Sequence, residues 1–316
     1  MPSYHAFGRV LRAELPLPEL DPAPSGPAHW HVVRSAGPAM PHGEPCGYEP
    51  LYDEVAAALY RDEDRWTITV DDTGTYAWDP GARTLACWQA PHGTDDFLRA
   101  HLLGRVLATA MHDDGCLVLH AGAVAIGGRA VAFVGPKGAG KSTLALALAL
   151  GGATMVSDDT LPVDFAPDGS AAIARPGIAA LRLEPAQVVR LGAQPISPPR
   201  DDGKVVALPP ATVARARSPL PLAAVYLLTP VARIDGGLAA ARAPLPAPHA
   251  VATLVGQAKI AQMLGAAEGP ELLARATQLQ RVVQVERLLV LRDASRLADV
   301  VAAVLRWHAP AAAPTI

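Results

Sequence analysis

Gly135-Pro136-Lys137-Gly138-Ala139-Gly140-Lys141-Ser142 sets glycines and a Lys-Ser pair at the spacing G-x-x-x-x-G-K-S. That spacing suits one chemistry, the cradling of phosphate in a P-loop. Glycines let the backbone wrap closely enough to aim N–H groups at an anion. A helix beginning at the end of the run points its positive end at the same anion. Lys141 adds a point charge for the β- and γ-phosphates of a nucleoside triphosphate, and Ser142 offers a hydroxyl to Mg2+. The flanks agree with this reading. Ala130 to Val134 reads as a buried strand, and the Ala/Leu run Thr143 to Leu150 reads as a helix. The phosphate-binding candidates are therefore Gly135 through Thr143.

Asp158 and Asp159 close the short apolar run Ala153 to Val156-Ser157, seventeen residues past Lys141. A strand beside the P-loop strand would deliver them to the phosphates. One carboxylate can then hold Mg2+ and the other accept a proton from an attacking hydroxyl. Residue types alone leave open which does which. His120, on the strand before the P-loop, reads equally well as a core group or as a side chain near the phosphates. Arg175, Arg182 and Lys204 lie downstream, each able to neutralise charge on a transferred phosphoryl or to remain a surface charge. Lys137, inside the loop, reads as solvent-facing or as a further charge.

The elements that must position these residues follow from periodicity and breakers. Residues 1–92 read as a β-rich region. Phe7 to Leu15 and Trp30 to Val33 make strands, and Asp53 to Leu59 a short helix. A meander follows through Arg65–Val70, Thr75–Trp78 and Thr84–Trp88, with turns at Asp71–Gly74 and Asp79–Gly81. Most tryptophans fall here and read as core of a small sheet. Thr94, with Asp95 and Asp96 behind it, opens a helix that Gly115 ends. Cys116 to Ile126 reads as one strand, turned at Gly127-Gly128 into the P-loop strand. That hairpin makes the P-loop strand antiparallel to its predecessor, where a Rossmann-like protein would use a helical crossover. Past the aspartates come a hairpin (Leu161–Asp164, Ala171–Ala174) and a helix from Glu184. A loop candidate for mobility, Pro195 to Lys204, precedes a strand, Ala223–Leu228. A helical stretch over 248–280, a strand, Val282–Val290, and a last helix, Ala294–Trp307, complete the order. This places an α/β catalytic domain at 93–308 and a frayed tail at 309–316.

Composition bounds the class. At 50% hydrophobic residues, 316 residues supply a full core. A net charge of −3 excludes a general electrostatic nucleic-acid binder. The apolar run Leu144–Leu150 falls far short of the roughly 20 residues that span a bilayer, so no membrane partner is expected. Cys46, Cys87 and Cys116 are scattered and odd in number, which points to no disulfide framework or zinc site and to the cytoplasm. No basic region followed by an apolar core opens the chain, so no signal peptide is expected.

His120-Ala121-Gly122-Ala123, the P-loop Gly135–Ser142 and Val156-Ser157-Asp158-Asp159, taken together with their separations, resemble the catalytic core of the HPr kinase/phosphorylase family. The resemblance is close over residues 116–164. It runs more loosely through Pro176–Leu183, Lys204 and the Ala223–Leu228 strand to the carboxyl terminus. In that looser part, and in Tyr4, Phe7-Gly8 and Glu14–Leu20, the chain is similar to HPr-kinase-like proteins of peptide-modification clusters, including those that phosphorylate lasso-peptide precursors. The resemblance implies the P-loop kinase fold shared with phosphoenolpyruvate carboxykinase. It implies ATP bound by Gly135–Ser142, Mg2+ held by Ser142 and Asp159, Asp158 as base toward a substrate serine, and His120 beside the phosphates or the acceptor. The implied partner is a peptide or small protein, and a homo-oligomer stays open. The Arg-Gly-Leu-Gly-Ile-Ile stretch of the HPr kinases has no counterpart here. Arg175-Pro176-Gly177-Ile178 stands in its place, so phosphorolysis, HPr as acceptor and a hexamer are not implied. The expected activity is an ATP-dependent serine kinase. The alternatives are a nucleotide-binding regulatory module and a small-metabolite kinase.

Overall fold

The computed structural model describes residues 1–52, 55–178, 180–199 and 203–309. The chain is mixed α/β and forms two compact units. Met1–Val118 with Ala258–Ala276 makes the first, and Leu119–Gln257 with the residues from Thr277 onward makes the second. These units are drawn differently from the expected 1–92 and 93–308. The helical stretch after Thr94 and the segment 258–276 both group with the β-rich residues. Among the described residues, no helix is long and apolar enough to cross a membrane.

The first unit is built on a nine-stranded sheet. Its Arg65–Val70, Gly74–Asp79 and Thr84–Gln89 strands alternate buried and part-exposed residues, the pattern of a sheet with one covered face. Trp30, Trp66 and Trp78 are buried in it, and Trp66 and Trp78 face each other in register with rings stacked at 6.1 Å. They are core residues, as their setting suggested. Two local readings need correction. The single strand Phe7–Leu15 is instead a hairpin, Ser3–Ala6 against Arg9–Ala13, turned at Phe7 and Gly8 with φ of 52° and 71°. In place of a helix over 53–59 the structure has the strand Val55–Asp62, residues 53 and 54 lying outside the described residues. Its alanines favour a helix, but the strand pairs with Gly47–Tyr52 on one side and Arg65–Val70 on the other, and that pairing overrides propensity.

Thr94 caps the helix Asp95–His101 by accepting from the Phe97 N–H at 3.3 Å. The helix continues through a π-helical turn, Leu102–Val106, into Leu107–Asp113. Leu98, Leu102, Val106 and Met111 are buried along it. The expected helical stretch over 248–280 is two helices, Ala247–Gly256 and Gly269–Val282. Arg275 on the second holds the end of the earlier one, donating to His112 O at 2.9 Å and Cys116 O at 3.0 Å.

In the second unit the long strand Leu220–Val231 is central. It lies parallel to Arg129–Val134 on one side and to Gln284–Leu291 on the other. Beyond Arg129–Val134 come Gly122–Ile126, paired antiparallel through the Gly127-Gly128 turn, and then Thr154–Ser157. The expected strand over 116–126 is broken at His120 and Ala121 into Leu117–Leu119 and Gly122–Ile126. The hairpin Leu161–Phe165 with Ala172–Ala174 and the helix Leu297–His308 stand where the sequence puts them. A small three-stranded sheet joins Leu181–Leu183, Val205–Leu208 and Gln194–Pro195. Residues 200–202 of the loop candidate Pro195–Lys204, and 310–316 of the tail, lie outside the described residues.

Candidate active site

Arg129–Val134 is buried from its second residue onward, as its unbroken apolar run requires. It feeds the loop Gly135–Gly140, and the helix Lys141–Leu150 follows. Ala and Leu favour that helix strongly. It ends in a glycine cap, with Gly152 at φ 103° and the Ala153 N–H donating to Leu148 O at 3.0 Å. Gly138 and Gly140 stand at φ 85° and 95°, a backbone that side-chain-bearing residues rarely adopt, so the glycine spacing is required by the turn itself. Lys141 is buried. Its Nζ reaches back into the loop, 2.7 Å from Gly135 O and 3.3 Å from Pro136 O, which fixes the ammonium inside the loop. Pro136, Lys137 and Gly138 are exposed, while Ala139, Ser142 and Thr143 are part-exposed.

The aspartate strand Thr154–Ser157 lies next but one to the loop strand, with Gly122–Ile126 between them, so the expected adjacency does not hold. Both strands are antiparallel to the one between. They therefore run in the same direction, and their carboxyl ends share one edge of the sheet, where α/β folds place ligands.

At that edge Asp158 and Asp159 part company. Asp158 is 2% exposed, whereas the Asp159 side chain is 31% exposed. The Ser142 hydroxyl and the Arg182 backbone N–H both donate to the Asp158 carboxylate. Burial pushes the Asp158 pKa up to about 6, and the neighbouring Asp159 charge adds to the rise. The Ser142 and Arg182 hydrogen bonds and Lys141 pull the other way. Its Oδ2 is buried without a hydrogen-bond partner among the described residues.

Asp159 turns outward. Its φ is 66°, and the turn is closed across it by the Thr160 N–H donating to Asp158 O at 2.7 Å. Such a backbone costs about 1–3 kcal/mol in a non-glycine residue and persists only where the surroundings impose it. Here Ser157 Oγ donates to Thr160 O at 2.6 Å, and the Asp158 N–H donates to Ile178 O at 2.9 Å. Gly177 closes the clamp. Its N–H donates to Val156 O at 2.9 Å, and a Cβ there would collide with Ser157 Oγ and stand 2.7 Å from Thr160 O.

His120 lies across the edge with Nδ1 at 3.1 Å from Asp159 Oδ1 and 3.2 Å from Asp159 O. Two acceptors at Nδ1 put the proton on that nitrogen and leave Nε2 as the proton-accepting one in the neutral ring. Gly122, two residues on, packs against the carboxylate. A Cβ there would stand 3.3 Å from Asp158 Oδ1 and 3.3 Å from Lys141 O.

The structure thus gathers Lys141, Ser142, Asp158, Asp159 and His120. Of the downstream cations, Arg182 contributes its backbone N–H while its side chain is exposed. Arg175 Nε lies 2.6 Å from Asp164 Oδ2 on the neighbouring hairpin, an ion pair without hydrogen-bond alignment. Lys204 precedes the strand Val205–Leu208 and is part-exposed. Sequence reasoning missed Gln257. Its Oε1 accepts from the Gly135 N–H at 3.0 Å and its O from the His120 N–H at 2.7 Å. A lone glutamine after a helix carries no signal that would have revealed it.

The donor set suits Mg2+. The buried Asp158 carboxylate, whose Oδ2 has no partner among the described residues, and the Ser142 hydroxyl that interacts with it offer two hard oxygens, and Mg2+ takes one or two protein oxygens and completes its shell with phosphates and water. Among the described residues, no group of three or more His, Cys, Asp or Glu side chains could hold a metal by itself.

No family model matches the chain, and no curated protein matches it. Among solved structures it is similar to the HPr(Ser) kinase/phosphatase from Coxiella burnetii. The two share 13% sequence identity at a TM-score of 0.32, over 60% of this chain and 88% of that chain. The reading of the loop and the aspartate turn rests on their own geometry.

Proposed function

We propose that the chain is an ATP- and Mg2+-dependent kinase that transfers the γ-phosphate to a serine hydroxyl of a peptide or small protein. The observation that carries this reading is the divided aspartate pair. One carboxylate is buried against the Ser142 hydroxyl behind a glycine loop, and its neighbour orients His120 at the same sheet edge.

Glycine-loop N–H groups, the helix end and Lys141 bind the phosphates. Ser142 and Asp158 would hold Mg2+, which when bound neutralises phosphate charge. The resemblance implied the reverse division, with Asp158 as base and Asp159 on the metal. Accessibility favours the exchange, because an incoming hydroxyl can reach the part-exposed Asp159–His120 pair and not a carboxylate that is 2% exposed. His120 Nε2 takes the serine proton while the serine oxygen bonds to the γ-phosphorus. The bond from that phosphorus to the β–γ bridging oxygen breaks, and ADP leaves. Asp159 holds the ring and balances the imidazolium charge. The acceptor class rests on the similarity of Tyr4, Phe7-Gly8 and Glu14–Leu20 to peptide-modifying proteins.

The test is incubation with Mg·ATP and the peptides encoded beside the gene, followed by intact mass. A gain of one phosphate that disappears in Lys141→Ala is expected. Mg·ATP binding without any phosphorylated peptide would turn the reading toward a nucleotide switch or a small-metabolite acceptor.

A further inference from the structure

Gln257 ends the helix Ala247–Gly256, its N–H still donating to Thr253 O at 2.9 Å. From there it reaches two parts of the site. Its side-chain Oε1 accepts from the Gly135 N–H, and its main-chain O accepts from the His120 N–H. Gly135 is buried, with φ of 145°, and a Cβ on it would stand 3.2 Å from Leu228 O. Its N–H therefore cannot turn to water, and no side chain of its own can fix its orientation. The same residue offers its O to Lys141 Nζ. A hydrogen-bonded line thus runs from Gln257 through Gly135 to the Lys141 ammonium, and a second runs from Gln257 to the backbone of His120.

We infer that Gln257 is a positioning residue that fixes the first turn of the phosphate cradle and keeps it in register with His120. The inference rests on the phosphotransferase reading above and adds to it a residue that touches neither phosphate nor acceptor. The side-chain bond is the part a substitution can remove. Gln257→Met keeps the length and bulk of the side chain and loses the acceptor. Gln257→Glu keeps an acceptor oxygen.

The experiment is amide hydrogen exchange by mass spectrometry over residues 133–141 of the full chain, together with Mg·ATP titration. In Gln257→Met, exchange in that segment is expected to quicken, and Mg·ATP to bind about tenfold more weakly, the size expected when one buried donor loses its acceptor. In Gln257→Glu, exchange should stay near the wild-type rate. A residue that merely glued the fold would lower the unfolding temperature of Gln257→Met and leave both readouts unchanged in the folded protein, which overturns the inference. A wild-type chain that fails to bind Mg·ATP overturns the kinase reading and this inference with it. A wild-type chain that binds, paired with a Gln257→Met variant that binds and exchanges equally, overturns this inference alone.

Discussion

The Asp159 carboxylate stands 3.1 Å from His120 Nδ1 across 39 residues of chain, while Asp158, one peptide away, is sealed against the Ser142 hydroxyl. Adjacent and chemically identical side chains have been given opposite environments by a single turn.

Asp159→Asn should cut kcat by about 10²–10⁴-fold and leave KM for ATP near its wild-type value. An amide at that position can offer its NH2 to Nδ1, which moves the ring proton to Nε2 and removes the base. Steady-state kinetics with a phosphorylatable peptide would check this. An unchanged kcat would exclude the His120–Asp159 pair from proton transfer.

Asp158 gives the pH dependence a definite sign. Burial and the Asp159 charge raise its pKa to about 6 in the folded chain, above the usual carboxylate value. The folded state therefore holds this proton more tightly than the unfolded state. Stability contributed by the group falls as pH climbs from about 4 to about 6, then levels off. Asp158→Asn should be more stable than wild type at pH 7–8 by about 2–3 kcal/mol without nucleotide or Mg2+, and equal to it below about pH 4. Urea unfolding across that range would measure the gap, and a constant difference at all pH values would contradict it.

Gly177→Ala should distort the turn, because the added methyl collides with Ser157 Oγ and Thr160 O. The expected cost is about 1–3 kcal/mol, the usual penalty for overpacking. Activity should fall further than the loss of folded protein explains. Comparing kcat at matched folded fraction separates the two effects.

Ser142→Ala should raise the Mg2+ concentration needed for half-maximal activity, since it removes one of the two protein oxygens and one hydrogen bond to Asp158. Titrating activity with Mg2+ at saturating ATP reads this directly.

Thr94→Ala should destabilise the chain by about 1 kcal/mol through loss of the cap to the Phe97 N–H, with the chemistry untouched. A lowered urea midpoint with unchanged kcat is the expected pair of results.

Local chemistry explains what could be read in advance. The glycine loop, the Thr94 cap and the Gly127-Gly128 turn all use signals confined to a few residues. The division of labour between Asp158 and Asp159 could not be read that way. It depends on a φ of 66° imposed by Ser157, Gly177 and Ile178, residues brought together only in three dimensions. Val55–Asp62 misled because alanines favour a helix in isolation, and two neighbouring strands outweigh that preference. Charge alone left Arg175 open between a phosphoryl-neutralising cation and a surface charge, and the structure places Asp164 Oδ2 2.6 Å from its Nε.

The first unit draws on two stretches, Met1–Val118 and Ala258–Ala276, and Arg275 from the second binds the carbonyls of His112 and Cys116 in the first. During synthesis, then, the amino-terminal sheet leaves the ribosome long before its last contacts exist. The glycine loop and the aspartate turn are made while that unit is still unfinished. A chain stopped before residue 258 would carry the whole glycine loop and the aspartate turn and still lack the second stretch of the first unit.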